Sequence, residues 1–219
     1  MKKFFTYKNI LILIVLFYFI ILMLRITIRY IPYNLDVGFL IIKQDYIHIK
    51  HWRYAFFIHV YTSLFVLFAG ATQFSKYLLQ KHKKLHRIFG YAYSINVLMI
   101  TGPAALIMSF YANGGTISKI AFILLSFLWL YYTLVALIKA RQLSFKAHER
   151  FMIRSYALTL SAITLRIWKF LIMNFLDIPP MDVYRIVAWL GWGLNLIFAE
   201  IYIQRMKKRA TEIKNIKGD

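Results

Sequence analysis

The chain contains no cysteine. That excludes disulfides, thiolate-bound metals, a cysteine nucleophile and a covalently attached c-type haem. Acidic residues are scarce too: 8 Asp and Glu stand against 28 Lys and Arg, for a formal charge of +20. Proline and glycine are few, at 4 and 9 residues. No stretch therefore has the composition of a flexible linker, no internal repeat is evident, and nothing resembles a second, soluble domain. G-x-S-x-G, H-E-x-x-H and Asp-rich phosphate patterns are also missing, so no hydrolase motif is present. "HER" at 148–150 has one histidine and no partner four residues on.

What the chain does have is apolar surface. Hydrophobic residues make up 61% and aromatics 18%, whereas soluble domains sit near half apolar. With a mean hydropathy of +0.60, the composition is that of a membrane protein. A charge of +20 on a soluble chain would suggest nucleic acid. Here the basic residues fall in short clusters between apolar runs, as membrane topology demands, and nucleic acid is set aside as a partner.

Crossing the hydrocarbon core takes about 20 apolar residues as a helix. Six segments qualify: 9–28, 54–75, 88–111, 118–138, 151–175 and 185–204. The first resembles a signal peptide, but its apolar run is long and no small-x-small cleavage site follows, so a retained helix is expected. "ANGGT" (112–116) reads as a tight turn, and "LDIPPMD" (176–182) stops the fifth segment. The expected fold is all-α, a polytopic membrane bundle of about six helices with both termini cytoplasmic. Its parts are an N-terminal transmembrane helix (1–30), an extracytoplasmic surface segment, partly helical (31–53), a five-helix membrane core (54–204) and a basic cytoplasmic tail (205–219).

The orientation rests on the basic residues. With the N-terminus inside, the inner side gathers Lys2, Lys3, Lys8, the cluster from Lys76 to Arg87, the cluster from Lys139 to Arg150, and the tail from Arg205 to Lys217. The outer side holds far fewer, among them Arg25, Arg29, Lys43, Lys50, Arg53, Lys119 and Arg185. Arg154, Arg166 and Lys169 remain within the fifth segment. The tail is most simply an anchor that touches anionic lipid.

Depth then sorts the polar residues. In the second segment His59, Ser63, Gly70 and Gln73 share one helical face. A polar and small stripe of this kind turns toward a bundle interior. His86 and His148 both open helices at the inner side, so two imidazoles are expected at similar depth, an arrangement that can clamp a haem iron. Arg154 lies in the inner third, and so does Glu200 on the returning last segment. A buried carboxylate without a partner would rather be neutral, so an Arg154–Glu200 fork is expected. Arg166 returns to the His148 face five turns further out.

These residues resemble a known membrane family, the domain of unknown function 2306 group, from about Arg53 to Ile203. The resemblance rests on "HVYTSLFVLFAGATQF" (59–74), "LHRIFGYAYSINVL" (85–98), "FLWLYYTLVALIKAR" (127–141), "HERFMIRSYALTLSAITLRI" (148–167) and "NLIFAE" (195–200). Phe151 stands where family members usually carry Trp. The resemblance implies a bacterial inner-membrane protein, and it brings no established activity. The pattern is also similar in part to b-type haem membrane cytochromes.

Three functions fit these residues. In the first, haem b is held by His86 and His148, with Arg87 and Arg154 beside the propionates, and electrons pass to a quinone or a membrane redox partner; a second haem near the outer side would need His59 with His48, His51 or another ligand. In the second, Gln73, Arg154, Arg166 and Glu200 line a polar cavity for a lipid headgroup, a small anion or a proton. In the third, the same residues serve only helix packing in a structural subunit.

Overall fold

The computed structural model describes residues 7–216. Lys2, Lys3 and Lys217, assigned above to the inner side, lie outside the described residues, as do the side chains of Lys8 and Lys214. Among the described residues the regular structure is helical throughout, with no strand. This follows from the composition, because a chain in hydrocarbon must satisfy its own backbone donors and acceptors, and a helix does so within one segment. The chain divides into two compact units, Met1–Ala112 and Asn113–Asp219.

The first unit begins with α1 (Tyr7–Ile28), 22 residues long. A short 310 helix (Gly38–Lys43) and α2 (Gln44–Ile47) follow, then α3 (Lys50–Thr72), α4 (Lys76–Lys81), α5 (Lys83–Asn96) and α6 (Gly102–Ser109). A π-helical turn over Val97–Thr101 joins α5 to α6, so Lys83–Ser109 forms one apolar span of 27 residues. Pro103 explains the turn: it has no amide hydrogen to give the carbonyl four residues back. The Gly102 amide instead donates five residues back, to Val97.

The segment 31–53, expected on the membrane surface, packs its own core. Leu40 and Trp52 are buried with Tyr30, Phe56 and Phe57. Lys43 is buried as well, at 2% exposure. Its ammonium donates to the Tyr111 carbonyl and lies 4.8 Å from the Tyr46 ring centroid and 5.5 Å from that of Phe39. A hydrogen bond and two aromatic faces offset the desolvation of that charge. Read from the sequence as one more surface cation, Lys43 is a core residue of this unit.

The second unit contains α7 (Gly115–Arg141), α8 (Phe145–Thr159), α9 (Ser161–Phe175) and α10 (Pro180–Ile216). "ANGGT" makes the expected turn. Gly114 has φ of +81°, and a Cβ there would meet Ser118 Oγ at 2.5 Å, so only glycine fits. The expected single helix over 151–175 is two helices, α8 and α9, bent by 41° at Leu160. The last helix is longer than its apolar run. It continues through Arg205–Arg209 without a break, because the tail holds good helix formers and no Gly or Pro before Gly218.

Among the described residues four helices are long and apolar enough to cross a membrane: Lys50–Thr72, Lys83–Ser109, Gly115–Arg141 and Pro180–Glu212. The bent pair α8–α9 makes a fifth.

Candidate functional site

The second unit holds the densest polar constellation. Its first part is a seam between α7 and α8. Trp129 Nε1 donates to Thr159 Oγ1 at 3.0 Å, and Thr159 Oγ1 donates to the Ser155 carbonyl at 3.2 Å. Thr133 Oγ1 donates to the Trp129 carbonyl at 2.7 Å and lies 2.6 Å from Ser155 Oγ. Thr133 has one hydroxyl hydrogen, and the carbonyl takes it, so Ser155 donates to Thr133. The four residues close a ring of hydrogen bonds. All four are buried, and each polar group has a partner where an unmet one would be costly.

The second part is the ion pair. Arg154 on α8 meets Glu200 on α10 through two parallel bonds, Nε to Oε1 and Nη2 to Oε2, the latter at 2.8 Å. This is the two-pronged fork in which guanidinium and carboxylate match best. The Arg154 guanidinium also lies 5.1 Å from the Phe151 ring and 5.8 Å from that of Tyr132. The Arg154 side chain is 16% exposed and that of Glu200 41%. The structure thus brings together the two residues that depth alone suggested.

The third part is a clamp at the break between α8 and α9. Asn195 Nδ2 donates to the Ala157 carbonyl at 3.0 Å and to Thr164 Oγ1 at 3.0 Å. Thr164 Oγ1 donates across to the Gly191 carbonyl. α9 and α10 pack tightly at Gly191: a Cβ there would meet Leu165 Cβ at 2.9 Å and its Cα at 3.1 Å. A bent membrane helix exposes backbone groups, and side chains of neighbouring helices must take them up. Asn195 does so here, at the Ala157 carbonyl.

Of the other residues singled out in this unit, His148 donates from Nδ1 to the Ala136 carbonyl at 2.8 Å. A carbonyl only accepts, so Nδ1 carries a hydrogen. Arg166 is exposed and donates to the Ala162 carbonyl of its own helix.

In the first unit the stripe on α3 is engaged at both ends. His59 Nδ1 donates to the Thr101 carbonyl in the π turn at 3.2 Å. Nearby, Thr62 Oγ1 lies 2.6 Å from Thr101 Oγ1, which donates to Asn96 Oδ1. At the other end Gln73 Nε2 donates to the His86 carbonyl at 3.3 Å. Its side chain lies against Gly90, where a Cβ would meet Gln73 Oε1 at 2.8 Å. This contact explains why "ATQF" and "HRIFG" belong to one pattern. Arg87 is exposed and His86 half-buried. His86 and His59 belong to the first unit and His148 to the second.

The Thr62–Asn96–Thr101 cluster escaped the sequence reading. Its signal was present: Asn96 and Thr101 interrupt an apolar run just before Gly102-Pro103. Among the described residues no three His, Asp or Glu side chains gather as a metal site.

These features define an all-helical membrane protein with four or five candidate spans, buried polar seams and an Arg154–Glu200 ion pair between two of its helices. The chain belongs to the predicted membrane protein family DUF2306, whose model matches residues 56–203. That range contains the fork, the clamp, the α7–α8 ring and the α3 stripe. Neither a curated protein nor a solved structure matches the chain.

Proposed function

We propose that the protein is a multi-pass protein of the bacterial cytoplasmic membrane that takes up a proton at Glu200 and a small anion at Arg154. The observation that carries this reading is the fork between Arg154, on the first half of the broken span, and Glu200, on the apolar last helix. Ionisable residues are costly at such depth and mark ion or proton pathways. Broken helices serve the same role in carriers, because they combine backbone polarity with mobility.

The chemistry runs as an exchange of partners. While Glu200 is ionised, its two oxygens saturate the guanidinium edge of Arg154. A proton on Glu200 cancels the carboxylate charge and one acceptor site. Arg154 is then a desolvated cation without a counter-ion, a state that is strongly unfavourable. A small anion on the guanidinium restores neutrality, so proton and anion bind together. The clamp passes the change on. Arg154 and Ala157 lie one turn apart on α8, and Asn195 and Glu200 share α10, so a shift of α10 at Glu200 also loads the Asn195 grip on the break.

The basic bias orients the chain with both termini inside, which makes α1 a sixth crossing. The partners in this orientation are membrane lipids, with anionic headgroups against the inner basic clusters.

Proteoliposomes with an internal pH dye test the proposal, using outward-to-inward gradients of chloride, nitrate, phosphate or sulfate. Wild type should acidify the interior with one of them. Glu200→Gln should keep anion binding and lose the proton movement, and Arg154→Ala should lose both. No anion-linked proton movement in wild type across the panel would contradict it.

One observation favours a second reading, a b-type haem. The His148 Nδ1–H is held by the Ala136 carbonyl, as the distal nitrogen of a metal-bound imidazole usually is. His148 Nε2 would then be an axial ligand, and the haem would supply one-electron transfer to a quinone or a membrane redox partner. Protein purified from haem-replete cells should then show a Soret band that His148→Ala removes; a colourless preparation would end this reading.

A further inference from the structure

Resting on the reading of Arg154 as an anion site, we infer the class of the anion: an oxyanion that offers two oxygens at once to the terminal, Nη1–Nη2 edge of the guanidinium. A guanidinium carries five N–H donors in one plane. Glu200 takes one from Nε and one from Nη2. One hydrogen on Nη2 and both on Nη1 remain. Arg154 makes no other hydrogen bond among the described residues. The remaining Nη2 hydrogen and one Nη1 hydrogen run parallel, so the terminal edge is a second fork, equivalent to the one that grips the carboxylate. The side chain keeps 16% exposure, and none of these open donors is sealed within the protein.

The surroundings favour the same class. The guanidinium stands over the rings of Phe151, at 5.1 Å, and Tyr132, at 5.8 Å, and the two ring centroids are 6.2 Å apart. Aromatic walls beside the cation leave its edge as the place where a ligand pairs with it, and a drier setting strengthens each hydrogen bond made there. Lys207 lies two turns beyond Glu200 on the unbroken α10, on the same face, and is exposed. It sets a second cation toward the inner end of the site, in the orientation drawn from the basic residues. A cation at the mouth and a two-pronged donor within suit phosphate, sulfate, nitrate or a carboxylate. A halide is a single centre of charge and gains less from two parallel donors. Glu200 holds the other edge of the same guanidinium, so its negative charge opposes the oxyanion until a proton cancels it.

The experiment is equilibrium binding of radiolabelled phosphate, and in parallel radiolabelled chloride, to the full-length protein in neutral detergent at constant ionic strength and mildly acidic pH. Wild type should bind phosphate about tenfold more tightly than chloride, the weight of one added hydrogen bond to a charged group. Unlabelled sulfate, nitrate and acetate should displace the phosphate. Arg154→Lys keeps the charge and loses the paired donors, so it should weaken phosphate about tenfold and abolish the preference. Lys207→Gln, at an exposed position, should weaken phosphate and chloride alike and leave the preference intact. Displacement of phosphate by phosphatidylglycerol would make a lipid headgroup the source of the oxyanion, and displacement by soluble oxyanions alone a free ion; both support the terminal edge. Chloride bound as tightly as phosphate by wild type would overturn the inference and leave proton-coupled anion uptake standing. So would a phosphate preference that survives in Arg154→Lys. If Arg154→Lys does not elute on size exclusion as wild type does, the phosphate-to-chloride ratio in wild type decides. A preference lost in Arg154→Lys, with no proton movement in proteoliposomes, would end the proton reading and leave the oxyanion edge standing.

Discussion

Arg154 and Glu200 show what a single pair can be asked to do in a membrane. Their two hydrogen bonds make each the condition of the other's charge. Removing either should cost about 2 kcal/mol, the scale for a hydrogen bond to a charged group. In a double-mutant cycle read by detergent unfolding, Arg154→Ala and Glu200→Ala should couple, with the double variant more stable than the sum of the singles implies. Additive losses would show that the fork contributes no stability. Glycines give a second contrast. Gly191→Ala would push a Cβ against the Leu165 backbone, whereas Gly90→Ala would meet only the far end of the Gln73 side chain. The first should therefore cost about 1–3 kcal/mol, the range for overpacking, and the second clearly less. Comparison of thermal midpoints decides it. The Arg154–Glu200 contact could be read from sequence because depth in a membrane converts residue number into position. The Lys43 cage could not, because it depends on how an irregular segment folds back on Tyr111.

At the scale of elements, the break at Leu160 matters most. Spans α3 and α7 were legible as apolar runs, and "ANGGT" as a turn, because hydropathy and glycine chemistry act locally. The break was not legible: 151–175 contains no proline or glycine to mark it. What holds the bend comes from α10, through Asn195, and is non-local. The clamp therefore makes a prediction of its own. Asn195→Leu keeps the size of the side chain and removes its donor, and should raise hydrogen–deuterium exchange at the amides around Leu160–Thr164 while leaving α7 protected. Equal exchange in the variant and in wild type would mean that the bend is fixed by packing alone. The π turn in the other unit has a local cause in Pro103, which the reading of 88–111 as one helix passed over.

For the whole molecule, the absence of cysteine becomes an experimental asset. Single cysteines can be placed without background. With both termini inside, Ser144→Cys should react with an impermeant maleimide only from the cytoplasmic side and Asn113→Cys only from the outer side. The reverse pattern would invert the orientation drawn from the basic residues. Bilayer physics made the class of molecule readable from composition, since few structures other than apolar helices can satisfy their backbone in hydrocarbon. The function was less readable, because the same Arg, Glu and His residues suit a proton, an anion or a haem, and only their contacts separate these uses. The central claim is that Glu200 carries the proton that frees Arg154. It is tested most directly by the proton movement in proteoliposomes of wild type and Glu200→Gln under one anion gradient. The account predicts acidification in wild type and none in Glu200→Gln, with anion binding retained. Equal proton movement in the two proteins would contradict it.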